Sequence, residues 1–145
     1  MAAPAVLDPS QFSLSLMGVA VSGYAPGTFI TIAYDEDETD EMVGADGEIV
    51  VMRSKNRKGT LTLTLTATAA ANDQFNAAAE LFRAGAPGGV GSMLCKNLNG
   101  RDVSSAESAW VKTRPPMSFS KAASDMTRQW VFSVNPLALG LGGSY

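Results

Sequence analysis

The clearest periodicity in the chain runs through residues 58–82. Threonine and leucine alternate strictly there, putting Leu61, Leu63 and Leu65 on one face of a strand and Thr60, Thr62, Thr64 and Thr66 on the other, because strand side chains repeat every two residues. The period then turns helical. Phe75, Ala78, Ala79 and Phe82 recur at three- and four-residue spacing, which makes Phe75 and Phe82 the expected anchors of a helix against the sheet. Asn72 is its expected N-cap, and Gly85 and Pro87 its stop. Elsewhere the period is two. Phe12, Leu14 and Leu16 alternate with polar residues in a first strand reaching residue 21, and Ile30, Ile32 and Tyr34 share a face of a second over residues 28–34. Residues 48–52, 92–97, 109–113 and 126–134 read as further strands, with Trp130 and Phe132 anchoring a core in the last. Pro26-Gly27 and Asn99-Gly100 mark turns. About seven short strands around one helix predict a mainly β fold, a sandwich or barrel with a single flanking α-helix.

Composition narrows this picture. With 145 residues, 46% of them apolar and 17% charged, the chain fits one folded domain spanning residues 1–145. Pro4 and Pro9 predict an extended arm over residues 1–10. The net charge is only −3, yet it is segregated. Asp35, Glu36, Asp37, Glu38, Asp40 and Glu41 form an acidic run, expected as an exposed loop because unpaired carboxylates are costly to bury. Arg53, Lys55, Arg57 and Lys58 form a basic one. The two runs bracket one short strand and are read as a surface that pairs with another subunit, or as solvated turns. Residues 137–145 carry three leucines among glycines, an odd exposure for a free tail, and a partner is expected to cover them.

The chemistry of an enzyme is hard to assemble here. The chain has no histidine, which removes Ser-His, Cys-His and most zinc-site arrangements. Cys95, the one cysteine, sits in an apolar run and is read as a buried thiol. The glycines near residue 88 lack the lysine and hydroxyl of a phosphate loop. Asp35, Asp37, Thr39 and Glu41 offer alternating oxygens for calcium, but Asp40 stands where the EF-hand loop needs glycine. No cofactor and no metal are expected. No run is long and apolar enough to span a bilayer, and the first residues lack the basic and apolar regions of a signal peptide, so a cytoplasmic product without membrane contact is expected. The threonine face of residues 60–66 has two readings: a solvent-facing sheet surface, or the lining of a water-filled lumen.

Lys58-Gly59 leading a strand of alternating Thr and Leu, closed by Thr68-x-x-x-Asn72-Asp73 and a short helix, resembles the tail-tube proteins of contractile-tailed bacteriophages. Tyr34-Asp35-Glu36-Asp37 and Gly44-Ala45-Asp46-Gly47-Glu48 are similar to the same family. The resemblance covers residues 11–136. It implies a structural virion protein whose hexameric rings stack into a tube inside a contractile sheath, with baseplate and tail-terminator proteins at its ends and viral DNA passing through without specific binding. The type VI secretion tube protein is similar in architecture. The resemblance further implies that residues 35–58 reach an adjacent ring, that the terminal segments touch neighbours, and that Thr60, Thr62, Thr64 and Thr66 line the lumen. Such a protein would work in the virion tail after assembly in the host cytoplasm. The competing reading is a virion decoration or adhesion module on a similar sandwich, also without enzymatic activity.

Overall fold

The computed structural model describes residues 12–85, 88–98 and 101–142. The expected N-terminal arm, Pro87, the Asn99-Gly100 turn and the last three residues of the tail lie outside them. In chain order the elements are β1 (Phe12–Leu16), β2 (Val19–Ala20), β3 (Ile30–Tyr34), β4 (Thr39–Val43), β5 (Ile49–Arg53), β6 (Gly59–Thr66), α1 (Ala71–Arg83), β7 (Gly91–Asn97), β8 (Val103–Thr113), a 3-10 turn (Ala123–Asp125) and β9 (Thr127–Gly140). The chain is mainly β with one α-helix among the described residues, the fold class that the periodicity predicts.

Seven strands form one antiparallel sheet in the order β2-β1-β7-β8-β9-β6-β3, and β4 and β5 pair separately. The sheet curls. The segment after β2 hydrogen-bonds first to β1, through Val21 N to Leu14 O at 3.0 Å, and then to β6, through Ala25 N to Thr64 O at 3.1 Å and Thr66 N to Gly23 O at 2.9 Å. Phe12, Tyr24 and Phe29 seal that seam, with ring centroids 4.7–5.7 Å apart. Inside the curl, Leu14, Leu16, Leu61, Leu63, Leu65, Met93, Trp130, Phe132 and Val134 join one buried cluster with Phe75 of the helix. Each such side chain contributes roughly 1.5–3 kcal/mol through burial. Gly59 opens β6 because a Cβ there would run into Leu137 Cδ2 and meet the Ala33 carbonyl oxygen at 2.8 Å.

Several expectations change. Residues 12–21 form a hairpin, β1 and β2, in which Met17 and Gly18 both take positive φ, 53° and 79°, the backbone that a tight two-residue turn requires. Among the described residues the strands number nine because this turn splits the first and because β4 emerges from the acidic run. Two of the three C-terminal leucines, Leu137 and Leu139, are not on a free tail, whereas Leu141 beyond the strand is 78% exposed. β9 continues through Gly140 along β8, Leu137 is 1% exposed, and Leu137 N donates to Arg57 O. The Tyr34 hydroxyl clasps the same stretch, donating to Leu137 O at 2.9 Å and accepting from Leu139 N at 3.3 Å. Asn72 does not cap α1. The N-cap position is Ala70, while the Asn72 side chain is buried, donates to Thr66 O at 3.0 Å and accepts from Trp130 Nε1 at 2.9 Å.

Candidate assembly surfaces

β4 and β5 form a hairpin that stands off the curled sheet. Gly44 and Gly47 shape its turn: Gly44 N donates to Glu48 O at 2.7 Å, Gly47 N to Gly44 O at 2.9 Å, and Gly47 takes φ +87°. All ten strand residues are exposed. Met42 (61%), Val43 (67%), Ile49 (63%) and Met52 (63%) lead a set of apolar side chains in water, and none of these residues belongs to the core cluster. A lone two-stranded hairpin is marginally stable in water, and an apolar patch of this kind marks a contact surface. The expected acidic loop is therefore partly strand, since Asp40 faces Met52 and Glu41 faces Val51 in its ladder. Its charges obscured it. The signal that reveals it is the pair Met42-Val43 mirrored by Ile49-Val50 across the Gly44-Ala45-Asp46-Gly47 turn.

The charged runs meet at the root of this hairpin. Lys58 Nζ donates to Asp35 Oδ2 at 2.7 Å, and the Thr60 hydroxyl donates to Asp35 Oδ1. The Lys58 bond, and then the Thr60 bond, hold the Asp35 carboxyl below the usual carboxylate range. Asp35 and Lys58, expected to contact another subunit, are thus partnered within the chain. The β4–β5 register sets Thr39 opposite Arg53, which brings both runs to one end of the subunit because antiparallel pairing folds residues 53–58 back beside residues 35–39. Glu36, Asp37, Glu38, Asp40, Glu41, Arg53, Lys55 and Arg57 are all exposed there.

Across β6 the faces divide as the alternation predicts. Leu61, Leu63 and Leu65 are wholly buried, and Thr60, Thr62, Thr64 and Thr66 are half-buried on the reverse face. Two of these hydroxyls are occupied: Thr60 on Asp35, and Thr66 on Gly23 O at 3.2 Å. Thr62 lies between Thr31 of β3 and Val131 of β9, and Thr64 faces Gln129 of β9.

The helix seats on one anchor. Phe75 is wholly buried against Trp130 and Phe132, at centroid distances of 5.7 and 5.0 Å. Phe82 is 47% exposed and is not a core anchor. Two turns on, it has passed the core and stacks on Trp110 at 6.5 Å with an interplanar angle of 8°. Arg114 ties the outer face of α1 to the end of β8, donating to Glu80 and to Asn76. Burial pushes the Cys95 thiol up to about 11, with Asp102 adding to the shift. Among the described residues no group of three or more His, Cys, Asp or Glu is placed to hold a metal, and no helix is long and apolar enough to cross a membrane.

A curled antiparallel sheet with one helix at its flank and a detached apolar hairpin is a frame for subunit contacts, and comparison with known proteins agrees. The family model of the bacteriophage PhiTE tail tube protein matches residues 14–142. The chain belongs to that family. It is accordingly a structural component of the tail-tube kind and not an enzyme. No curated protein matches this tail tube family member in sequence. Its fold recurs in the anti-feeding prophage tube-terminating cap, with a TM-score of 0.61 at 13% identity over 97% of this chain and 94% of that one. It recurs as well in two structures of an extracellular contractile injection system in the extended state. The sheath/tube terminator gives 0.59 at 12% identity over 97% and 100% of the two chains, and the sheath-tube complex gives 0.59 at 12% over 93% and 91%.

Proposed function

We propose that this protein is the repeating subunit of the inner tube of a contractile phage tail. Six copies close a ring by joining their curled sheets edge to edge, rings stack into a hollow tube inside a sheath, and the viral genome passes through. The observation that carries this reading is the family match over residues 14–142. It is supported by the apolar, wholly exposed β4–β5 hairpin, which needs a neighbour to cover it. Residues 1–145 then act as one domain. The hairpin reaches an adjacent subunit, with Glu36, Asp37, Glu38, Asp40 and Glu41 and the cations Arg53, Lys55 and Arg57 at the contact, and Thr60, Thr62, Thr64 and Thr66 face the lumen. Sheath, baseplate and terminator proteins are its partners, and the virion tail is its place of work after assembly in the host cytoplasm. Electron microscopy of the purified protein tests this: concentration should drive monomers into hollow tubes of uniform diameter. Single rings that never lengthen would point to a terminating cap, the role of the prophage protein of the same fold. Monomers at every concentration would overturn both.

A further inference from the structure

The surface that receives the hairpin is legible on the opposite end of the subunit. We propose that the cleft beneath α1, between the end of β6 and the segment joining β8 to β9, takes the β4–β5 hairpin of a second copy in a head-to-tail contact. This rests on the tube reading and names the contact that makes the tube grow. Tyr34 pairs with Gly59 and Gly59 with Val134 at the hairpin end, whereas Thr66 pairs with Thr127 at the other. The two ends are separated along β6 by about 23 Å at ~3.3 Å per residue. At the far end Asn72, Asn76, Arg114, Met117, Arg128 and Trp130 line a cleft of about 360 Å³.

Three properties of that end match the hairpin. Its irregular rim presents Met117 and Phe119, 81% and 77% exposed, to complement Met42, Val43 and Ile49. Its charge is opposite: residues 112–128 hold four cations against one acid, and residues 36–57 hold seven acids against three cations. Arg128 lines the cleft itself, and a carboxylate is the strongest acceptor for a guanidinium donor. A surface at one end meeting a different surface at the other makes a heterologous contact, and because the two surfaces lie at opposite ends of the subunit it propagates along that axis instead of closing into a ring. The basic residues at the hairpin root cannot fill this role between stacked copies, because they sit at the same end as the acids.

The test uses the full chain. The double variant Met117→Ser, Phe119→Ser changes only exposed side chains and should keep the wild-type circular dichroism spectrum and melting midpoint, yet lower tube mass in a sedimentation assay at least tenfold. As a second arm, Arg128→Glu should block tubes, and Asp37→Lys with Asp40→Lys in the same chain should restore them. A mixture of the Met117/Phe119 variant with a Met42→Ser, Val50→Ser variant should stop at paired assemblies, since only one productive contact per pair remains. Wild-type tubes with undiminished tubes from both the Met117/Phe119 and Arg128 variants would overturn the receiving surface and leave the tube reading standing. A wild-type chain that forms no tubes would overturn the tube reading itself.

Discussion

Single side chains set how this core holds together. Phe75, wholly buried between Trp130 and Phe132, should cost about 3–5 kcal/mol when truncated to alanine. Phe82, half exposed on Trp110, should cost about 1 kcal/mol, the scale of one aromatic stack. Urea midpoints of the two variants check this, and equal losses would refute the unequal seating of the helix. Asn72 performs a different task from the cap that its position implies: it satisfies the Trp130 indole N–H and the Thr66 carbonyl in a buried site. Asn72→Ala should cost about 1–3 kcal/mol, because both groups lose their partner without gaining water. Cys95 is protected twice, by burial and by a thiol pKa raised from 9.0 to about 11. Iodoacetamide at pH 8 should leave it unmodified in the native protein and alkylate it promptly in urea, as read by mass spectrometry. The sign of the linkage follows: the unfolded thiol ionises first, so stability drops as pH rises from about 9 towards 11.

Among elements, the β4–β5 hairpin is separable from the rest. It contributes nothing to the core cluster, so replacing residues 38–54 with a short Gly-Ser link should leave the melting midpoint within a few degrees of wild type and abolish assembly. A large loss of thermal stability would show that the hairpin folds back on the sheet. Its root depends on pH through Asp35, whose carboxyl is held low by Lys58 and Thr60. A depressed pKa stabilises above the unfolded value of about 3.9 and the contribution is lost as pH falls through the folded value. The protection of the Asp35 amide relative to its intrinsic exchange, an N–H that bonds Lys58 O at 3.1 Å, should therefore fall below pH 4 in the wild type, and Asp35→Asn should flatten that dependence.

For the whole molecule, the proposed tube raises the question of what its channel would meet. A conduit for DNA must not grip it, and each added cation near a phosphate path strengthens a salt-dependent attraction that repeats in every ring. Thr62→Lys or Thr64→Lys, on a half-buried face whose side chains point away from the core, should permit tubes and slow genome delivery in an infection assay. Leu63→Lys should prevent folding, because it places an unpaired ammonium in a fully buried position. Normal delivery by Thr64→Lys would remove the threonine face from the lumen. Folding of Leu63→Lys would reverse the phase of β6.

By itself the sequence determined what is local. The two faces of β6, the helix after it, the inward Trp130 and Phe132 and the exposure of the charged runs all follow from periodicity and desolvation cost, which act between neighbours in the chain. Tertiary structure decided whatever depends on partners distant in sequence. β4 became a strand because β5 pairs with it, despite its charges. Residues 137–140 became sheet, with Leu137 buried, because β8 and Tyr34 hold them, Tyr34 reaching across 103 residues to Leu137. Asn72 turned inward because Trp130 arrived beside it, and Phe82 was left at the rim because a helix of fixed pitch outran the core that it crosses. Each outcome is set by the order of strands in the sheet, which no window of sequence contains.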